Sequence, residues 1–411
     1  MKRRRVLGAV EIGTATVVVL VAEITEGRSL SIIGMGESTS RGIKKGVVED
    51  FRAASHCVHA AIDRAEESAG VPIESVFLAV SGRHLEGFFQ RGTVNIAASD
   101  GLVRPADVQR AEEEAKSREL PPGRVFVHHI RGAYRVDDRP VADPIGLAGA
   151  QLGAGYWSVH ADERHLRDLM HIINGYGLKV DNVVVSSVAS GCVVVDRVER
   201  KQGALVLDIG CGTTDYVLFR DGFMIHSGVV AVGGDHFTND LALGLRFPER
   251  FAEKQKLEHG SVLIDPAART EKVWLIGDRQ IGDREVSKRS IQMILHARAE
   301  ELFEVVKAQL GDLLDPAEIP VGAVLTGGAS QLPGLCSVAE GVLKLPTRLG
   351  EHPASVGEEL RRPGFSTPLG LLHFAVTDQR AHDDVAHSEP ETGLWKRFSK
   401  IFQAAATETA R

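Results

Sequence analysis

Apolar residues recur along the chain with two different periods, and each period predicts a different kind of element. In two segments they return every three or four positions, as on one buried face of a helix. Elsewhere, short continuous apolar runs end in glycine-rich turns, which is typical of buried β-strands. The chain therefore mixes α and β structure. The helical positions are Ala54, Val58, Ile62 and Ala65 in the first segment and Leu166, Leu169, Met170 and Ile173 in the second, with a possible cap at Asp162 and an end before Gly175 and Gly177.

One strand–turn–strand pattern occurs twice. The stretch VEIGTATVVVLVAE begins at Val10, and LDIGCGTTDYVLF begins at Leu207. In both, an apolar strand meets an acidic residue, Ile and Gly, then a polar turn and a second apolar strand, so Glu11 matches Asp208 and Gly13 matches Gly210. Both copies are predicted to be β-hairpins with a glycine-rich turn. The repetition indicates two related halves.

The end of the chain has a different pattern. Residues 377–391 contain almost no large apolar side chains and are predicted to be a flexible linker. The next segment, 392–404, is predicted to be an amphipathic helix that lies flat on a membrane. An alternative is that this helix docks on the protein itself. Its apolar face would carry Leu394, Trp395, Phe398, Ile401 and Phe402, and its basic face Lys396, Arg397 and Lys400.

Composition narrows the function classes. The net charge is −7 at pH 7 and no long basic block occurs, which argues against a nucleic-acid partner. The four cysteines are scattered without CxxC spacing, so neither a disulfide framework nor a zinc site is indicated, and a reducing cytosol fits best. No apolar run approaches the roughly 20 residues of a spanning helix. The basic N-terminus could suggest a secretory signal, but a signal would not recur in mid-chain.

The glycine-rich turns suggest phosphate binding. Glycine lets the backbone approach a ligand closely, and successive N–H groups in a tight turn form a cradle for an anion. The hydroxyls of Thr14, Thr16, Thr213 and Thr214 could add donors, and Glu11 or Asp208 is suitably placed for a Mg²⁺ hydration shell. One such hairpin alone would most often be an ordinary turn. A third glycine feature, VLTGGASQLPGL from Val324, would let the backbone pass close to a flat ring or its sugar.

Taken in order, these three features resemble the actin, Hsp70 and sugar-kinase superfamily of ATP-binding proteins. The resemblance implies an α/β, two-lobed, actin-like (ribonuclease H-like) ATPase fold. Within that superfamily the sequence is similar to the FtsA family of bacterial cell division proteins over nearly the whole chain. The similarity lies in EIGTATVVVLVAEI, SRGIKKGVVED, VFLAVSGRHLEG, VVSSVASG, LDIGCGTTDY, VGGDHFTNDLA, TGGASQLPGL, STPLGLLHFA and the terminal GLWKRFSKIF.

The resemblance implies a role for each matching position. Glu11 and Asp208 would position Mg²⁺ and its waters and are the candidate catalytic residues. Glu11 stands where the superfamily usually has Asp, and Cys211 replaces a glycine of the turn, so ATP binding with at most slow hydrolysis is expected. The expected nucleotide contacts are Gly13, Thr14, Ala15 and Thr16 in the first phosphate turn; Gly210, Gly212, Thr213, Thr214 and Asp215 in the second; Gly327, Gly328 and Ala329 at the adenosine; Glu253 and Lys256 around ribose and base; and Gly233 and Gly234 opposite.

The resemblance also implies a domain layout. Residues 1–82 and 162–193 would form the first lobe core, and 83–161 a small inserted domain of the FtsA type. Residues 194–231 and 326–376 would form the second lobe core, and 232–325 its subdomain.

Partners follow from the same resemblance: the C-terminal tail of the tubulin-like protein FtsZ, further copies of the chain in an actin-like polymer, other division proteins and an anionic membrane surface. Arg289 and Arg298 are candidates for the FtsZ contact, and the alternative interpretation is a solvated helix face. The expected location is peripheral, on the cytoplasmic side of the membrane at the division site. Three alternatives are a PilM-like pilus protein, a metabolic kinase and an Hsp70-like chaperone. A kinase would need a catalytic base, for which the sequence offers no clear candidate. A chaperone would need a substrate-binding domain, for which no residues remain.

Overall fold

Two five-stranded sheets with the same strand order form the centre of the protein. The computed structural model describes residues 4–25, 30–266, 270–275 and 284–385. Its strands are β1 (Arg4–Ile12), β2 (Thr16–Thr25), β3 (Leu30–Thr39), β4 (Ile43–Lys44), β5 (Val47–Val48), β6 (Ser75–Val80), β7 (Glu86–Asn95), β8 (Arg124–Val136), β9 (Arg139–Val141), β10 (Gln151–Asp162), β11 (Lys179–Val185), β12 (Ala204–Ile209), β13 (Thr214–Arg220), β14 (Phe223–Val230), β15 (Lys272–Leu275), β16 (Arg284–Ser287), β17 (Gly322–Thr326) and β18 (Thr347–Leu349). Its helices are α1 (Phe51–Ala69), α2 (Pro105–Ala115), α3 (Glu163–Tyr176), α4 (Ser186–Val194), α5 (Arg197–Gln202), α6 (Gly234–Leu245), α7 (Glu249–His259), α8 (Lys288–Leu310), α9 (Leu335–Leu343) and α10 (Ser366–Val385).

The two sheets confirm that the halves of the chain are related. The first has the order β3-β2-β1-β6-β11 and the second β14-β13-β12-β17-β18. In both, the first three strands are antiparallel and the last two run parallel to the central one. The repeated stretches predicted from sequence are the β1–β2 and β12–β13 hairpins. Their apolar side chains are largely buried, most completely in β2, β12 and β13.

The two predicted helices form, although α3 continues through Gly175 and ends at Tyr176, so only Gly177 marks its end as predicted. All four apolar positions proposed for each are buried in α1 and α3. Asp162 caps α3, because its carboxylate accepts hydrogen bonds from the backbone N–H groups of Arg164 and His165. Gly177 follows the last turn with a φ of 97°, a left-handed conformation that glycine adopts without strain.

A separate antiparallel sheet lies between the two copies of the hairpin in the sequence. Its strand order is β7-β10-β8-β9, and α2 packs on it over Val103, Ala111 and Leu152. Trp157 of β10 fixes this sheet to the second half, because its indole N–H donates to Ser227 Oγ at 2.9 Å. Its ring also lies 4.5 Å from that of His226.

Helix α10 continues through Val385, so residues 377–385 are helical where the sequence predicted a flexible linker. This segment contains neither glycine nor proline and includes alanine, glutamine and arginine, which favour helix. The rest of that linker and the proposed membrane helix, 392–404, lie outside the described residues. In the part of the chain that is described, no helix is both long and apolar enough to cross a membrane.

Candidate functional site

A cavity of about 480 Å³ opens between the two halves of the chain. This volume lies in the range of pockets that hold small-molecule ligands. Both phosphate-type turns and the glycine turn after β17 contribute to its wall. The predicted residues that line it are Glu11, Gly13, Thr14, Ala15, Thr16, Asp208, Gly210, Gly234, Glu253, Lys256, Gly327, Gly328 and Ala329.

A smaller chamber of about 60 Å³ adjoins the cavity beside the two glycine-rich turns. The predicted residues Gly212, Thr213 and Asp215 line it, together with Glu11 and Asp208. Two other predicted contacts lie outside both spaces. Thr214 is fully buried and its hydroxyl donates to the Val232 carbonyl at 2.8 Å. Gly233 packs against the backbone of the second turn and donates its N–H to His236 Nδ1 at 3.1 Å.

The two phosphate-type turns have the same internal geometry. Gly13 N donates to the Thr16 carbonyl at 3.0 Å, and Gly210 N donates to the Thr213 carbonyl at 2.9 Å. The acidic residue stands two positions before the glycine in each, so Glu11 and Asp208 are structurally equivalent. The repeat seen in the sequence therefore produces two matching turns at one cavity.

Three carboxylates meet beneath these turns. Burial raises the pKa of Glu11 well above its usual value, and the charges of Asp208 and Asp215 raise it further. Burial also raises the pKa of Asp208, against a lowering effect of the Thr367 hydrogen bond. The pKa of Asp215 rises to about 7, first because of burial, although a hydrogen bond from Ser81 opposes the rise. Each anion therefore lacks sufficient compensating positive charge.

The arrangement fits a hydrated divalent cation. Asp215 Oδ1 is buried and has no hydrogen-bond partner, so it is a free oxygen acceptor at this point. Within the described residues, no group of three or more His, Cys, Asp or Glu side chains is placed to hold an ion directly. Mg²⁺ characteristically keeps several waters and binds through one or two carboxylates together with substrate phosphates. Glu11 and Asp208 are the side chains that could hold such an ion through water.

Part of the cavity wall is apolar. Phe237, Leu257, Leu332 and Pro333 line it, which suits a flat aromatic ring. The glycine turn after β17 lies directly beside the carboxylate site. Gly327 has a φ of 84°, and a Cβ at this position would lie 2.6 Å from the Ile209 carbonyl and collide with Asp208.

The proposed ribose-binding pair lies on α7. Lys256 Nζ is 2.6 Å from Glu253 Oε2 and donates to Thr238 Oγ1 at 2.9 Å. It also donates to the Gly234 carbonyl at 3.1 Å. The two side chains are thus held by each other and by α6, with both facing the cavity.

Two hydroxyls that the sequence did not single out hold the buried carboxylates. Thr367 Oγ1 donates to Asp208 Oδ2 at 2.8 Å, and Ser81 Oγ donates to Asp215 Oδ2 at 2.6 Å. Both belong to the conspicuous motifs STPLG and SGRH, but nothing in those motifs specifies the partner.

Cys211, at the glycine position of the second turn, directs its thiol to Asp235 Oδ1 at 2.7 Å. Burial and this hydrogen bond raise the pKa of the thiol to about 12.

The candidate partner residues lie on α8, away from the cavity. Arg298 forms an ion pair with Asp240 through two hydrogen bonds of 2.5 and 3.0 Å and another with Glu301 at 2.8 Å. Its side chain is 18% exposed, so it contributes to the packing of α6 on α8. Arg289 is half-buried in the first turn of α8. The membrane-facing residues of the terminal segment lie outside the described part of the chain.

Comparisons with known proteins agree with this architecture. The family model described as "Cell division protein FtsA" matches residues 205–370, and "SHS2 domain inserted in FTSA" matches residues 82–160. The cell division protein FtsA of Pseudomonas aeruginosa is 33% identical, covering 97% of this chain and 98% of that protein. The corresponding protein of Escherichia coli K12 is 31% identical, covering 90% of both chains.

Two solved structures show the same fold at low sequence identity. A PilM-PilN type IV pilus biogenesis complex aligns with a TM-score of 0.61 and 18% identity, over 90% of this chain and 98% of the other. MreB5 of Spiroplasma citri bound to ADP aligns with a TM-score of 0.55 and 16% identity, over 92% and 98%. At such identities the likeness concerns the fold alone, including the likeness to PilM.

Proposed function

The chain belongs to the FtsA family of cell division proteins and has an actin-like fold, and from this premise we propose that it binds ATP and tethers FtsZ filaments to the cytoplasmic membrane. The proposed site is the cavity between the two halves. The observation that supports it best is the pair of matching glycine turns, which share one internal hydrogen-bond geometry and face one cavity together with the Gly327 turn.

In this proposal the two turns hold the phosphates of ATP, and the apolar part of the cavity wall holds the adenine. Glu11 and Asp208 hold Mg²⁺ through its waters, and the ion would neutralise charge on the phosphates. The chain's own contribution is positioning: Thr367 and Ser81 orient the carboxylates, while Lys256 and Glu253 fix the ribose side. Slow hydrolysis at most is expected, since Glu11 is one methylene longer than the usual aspartate and Cys211 stands at a glycine position.

Isothermal titration with ATP, ADP and GTP, with and without Mg²⁺, tests the nucleotide site. We expect ATP binding that Mg²⁺ strengthens and that Asp208→Asn weakens about tenfold, because the variant loses a charge that holds the hydrated ion. Asp312→Asn, an exposed aspartate far along the chain, is the matched control. Absence of ATP binding by the wild type would refute the proposal.

The proposed membrane attachment depends on the terminal segment. Half-burying its five large apolar side chains would contribute about 5 kcal/mol, and its three cations about 1 kcal/mol each near an anionic leaflet. Ordering some ten residues costs on the order of 10 kcal/mol before helix hydrogen bonds offset part of it. A single copy should therefore bind weakly. ATP-linked self-association would strengthen attachment, because neighbouring copies raise the effective concentration of each helix.

Vesicle sedimentation separates the membrane proposal from self-docking of the helix. The full chain should bind vesicles of phosphatidylglycerol and phosphatidylcholine, and a chain without residues 392–411 should not. When ATP is present, doubling the protein concentration should more than double the amount of protein bound to the vesicles. Unchanged binding by the truncated chain would refute the tether, and a self-association-deficient variant that binds like the wild type would refute the coupling.

The proposed FtsZ contact lies on the second-half subdomain near Arg289. Because Arg298 already has two carboxylate partners, its replacement would disturb packing and cannot report on a partner cleanly. We therefore expect Arg289→Glu to weaken binding of an FtsZ C-terminal tail peptide, measured by fluorescence anisotropy. Arg197→Glu, at an exposed arginine in α5, should leave it unchanged. Equal affinities of all three proteins would place the contact elsewhere.

A further inference from the structure

The short hairpin β4–β5 has an unusual residue at its tip. Its two-residue turn consists of Lys45 and Gly46, with φ values of 50° and 80°. Glycine adopts a positive φ freely, but lysine does so at a cost, and such residues persist where their surroundings hold them in place. The contacts of Lys45 identify what holds this tip.

Lys45 contacts both halves of the chain at the phosphate end of the cavity. Its backbone N–H donates to Thr14 Oγ1 of the first phosphate turn at 3.2 Å. Its ammonium donates to the Ala231 carbonyl of the second half at 3.1 Å. The same ammonium lies 3.0 Å from His236 Nε2. One residue outside both glycine motifs thus links the two sides of the cavity.

The second phosphate turn is packed against the same point. A Cβ on Gly212 would lie 2.5 Å from Thr14 Oγ1 and 3.1 Å from the backbone nitrogen of Lys45. Gly46 lines the inner chamber beside the three carboxylates. The hairpin tip and both turns therefore meet without intervening space, so their separation depends on the contacts of Lys45.

His236, near the start of α6, lies beside this contact. Gly233 N donates to Nδ1 of the ring at 3.1 Å, which assigns the proton of the neutral imidazole to Nε2. Nε2–H and the ammonium are then both donors, so their 3.0 Å approach is not a hydrogen bond and the Ala231 carbonyl alone accepts from the ammonium. Burial and the charges of Lys45 and Arg298 lower the pKa of His236, with Asp235 opposing, so at neutral pH the ring adds no positive charge beside Lys45.

We infer that Lys45 is a positioning residue of the nucleotide site, which binds the first phosphate turn through its backbone N–H and the second half of the chain through its ammonium, and so keeps the two turns at the separation that one polyphosphate requires. This inference rests on the proposed function in so far as the ligand is a nucleotide. The neighbouring Lys44 provides a matched comparison, because it has the same charge and lies on the same hairpin but is exposed to solvent.

Hydrogen–deuterium exchange on the nucleotide-free protein tests the link itself. In Lys45→Met, peptides covering 12–17 and 209–214 should exchange roughly tenfold faster, as expected for loss of a charge-assisted hydrogen bond between the halves. Lys44→Met should exchange like the wild type, and Lys45→Arg should retain most of the protection because it keeps a cation. Lys45→Gln serves as a second variant if the methionine variant does not fold. Wild-type exchange in the Lys45 variants would overturn the inference.

Titration with ATP and Mg²⁺ tests the consequence for binding. Lys45→Met should bind ATP roughly tenfold more weakly than the wild type, and Lys45→Arg and Lys44→Met should bind nearly as well as it. Faster exchange with unchanged ATP affinity would also overturn the inference, because the turns would then bind ATP equally well without the Lys45 link. If the wild type bound no ATP, the proposed function would fail, whereas the exchange experiment would still decide whether Lys45 links the turns.

Discussion

Asp215 is a buried carboxylate whose charge changes near neutral pH. Its pKa in the folded protein is about 7 because it is buried beside Asp208, whereas an unfolded chain gives about 3.9. Between these values the folded protein binds more protons than the unfolded one. Stability therefore decreases as pH rises from about 4 to about 7, and the protonated carboxyl contributes fully only below that window.

Thermal unfolding without nucleotide at pH 5 and at pH 8 measures this dependence. We expect the wild-type midpoint to be lower at pH 8, and Asp215→Asn to reduce the difference. Glu11 and Asp208, whose pKa values are also raised, should leave a residual slope. Asp221→Asn, at the exposed turn between β13 and β14, is the control and should retain the full difference. An unchanged slope in Asp215→Asn would contradict the assignment.

Gly327 and its neighbour Gly328 give a second prediction at this scale. Alanine at 327 would have a strained positive φ and would collide with Asp208, whereas a Cβ at 328 meets nothing within 4 Å. Gly327→Ala should therefore cost about 2 kcal/mol or more, and Gly328→Ala less than about 1 kcal/mol. Differential scanning fluorimetry compares the two. Equal midpoints for both variants would show that the turn relaxes more easily than its geometry indicates.

The sequence predicted individual residues well where a motif contains its own partners. The turns at Gly13 and Gly210 close within three residues, so the local pattern was sufficient. Ser81 and Thr367 were missed, because each finds its carboxylate across more than a hundred positions and only the folded chain brings them together. Thr214 was assigned to phosphate, but a neighbouring carbonyl takes its hydroxyl.

At the scale of elements, α3 offers a direct test of capping. Asp162 accepts from two backbone N–H groups that the helix leaves without partners. Asp162→Ala should lower stability by about 1 kcal/mol, and Asp162→Asn, which also caps well, should restore most of it. Thermal unfolding at constant pH measures both. Equal losses in the two variants would indicate that charge, and not the cap, is what α3 needs.

Elements whose apolar residues repeat over several turns were predictable from the sequence. Very short elements and elements rich in polar residues were not. The apolar positions of α1 and α3 repeat over several turns, so periodicity alone identified their buried faces. The β4–β5 hairpin has two residues per strand, too few to show any period. The end of α10 was predicted as linker because a helix rich in polar residues and a flexible tether have similar composition.

For the molecule as a whole, Trp157 is predicted to keep the inserted sheet fixed to the second half. Trp157→Phe removes the hydrogen bond to Ser227 and part of the contact with His226. We expect the inserted sheet to loosen, which limited trypsin digestion should show as faster cleavage between 116 and 124. Ser227→Ala removes only the hydrogen bond and should have a smaller effect. Wild-type digestion of Trp157→Phe would mean that other contacts suffice.

The two-fold repeat made the overall architecture predictable, because both copies of the hairpin carry the same sequence pattern and occupy the same place in their sheets. How the inserted sheet attaches was not predictable. Trp157 and Ser227 are 70 residues apart, and within β10 the tryptophan resembles any other buried strand residue. Such long-range pairing follows from the fold and leaves no local signal.

The thiol of Cys211 has a practical consequence. With a pKa near 12, it is almost entirely protonated at pH 7, with roughly one molecule in 10⁵ as the reactive thiolate. Maleimide dyes and iodoacetamide, which attack thiolates, should therefore spare the cavity even though a cysteine lies in its wall. A cysteine engineered on an exposed surface could carry a fluorophore for filament imaging without this wall residue having to be replaced first.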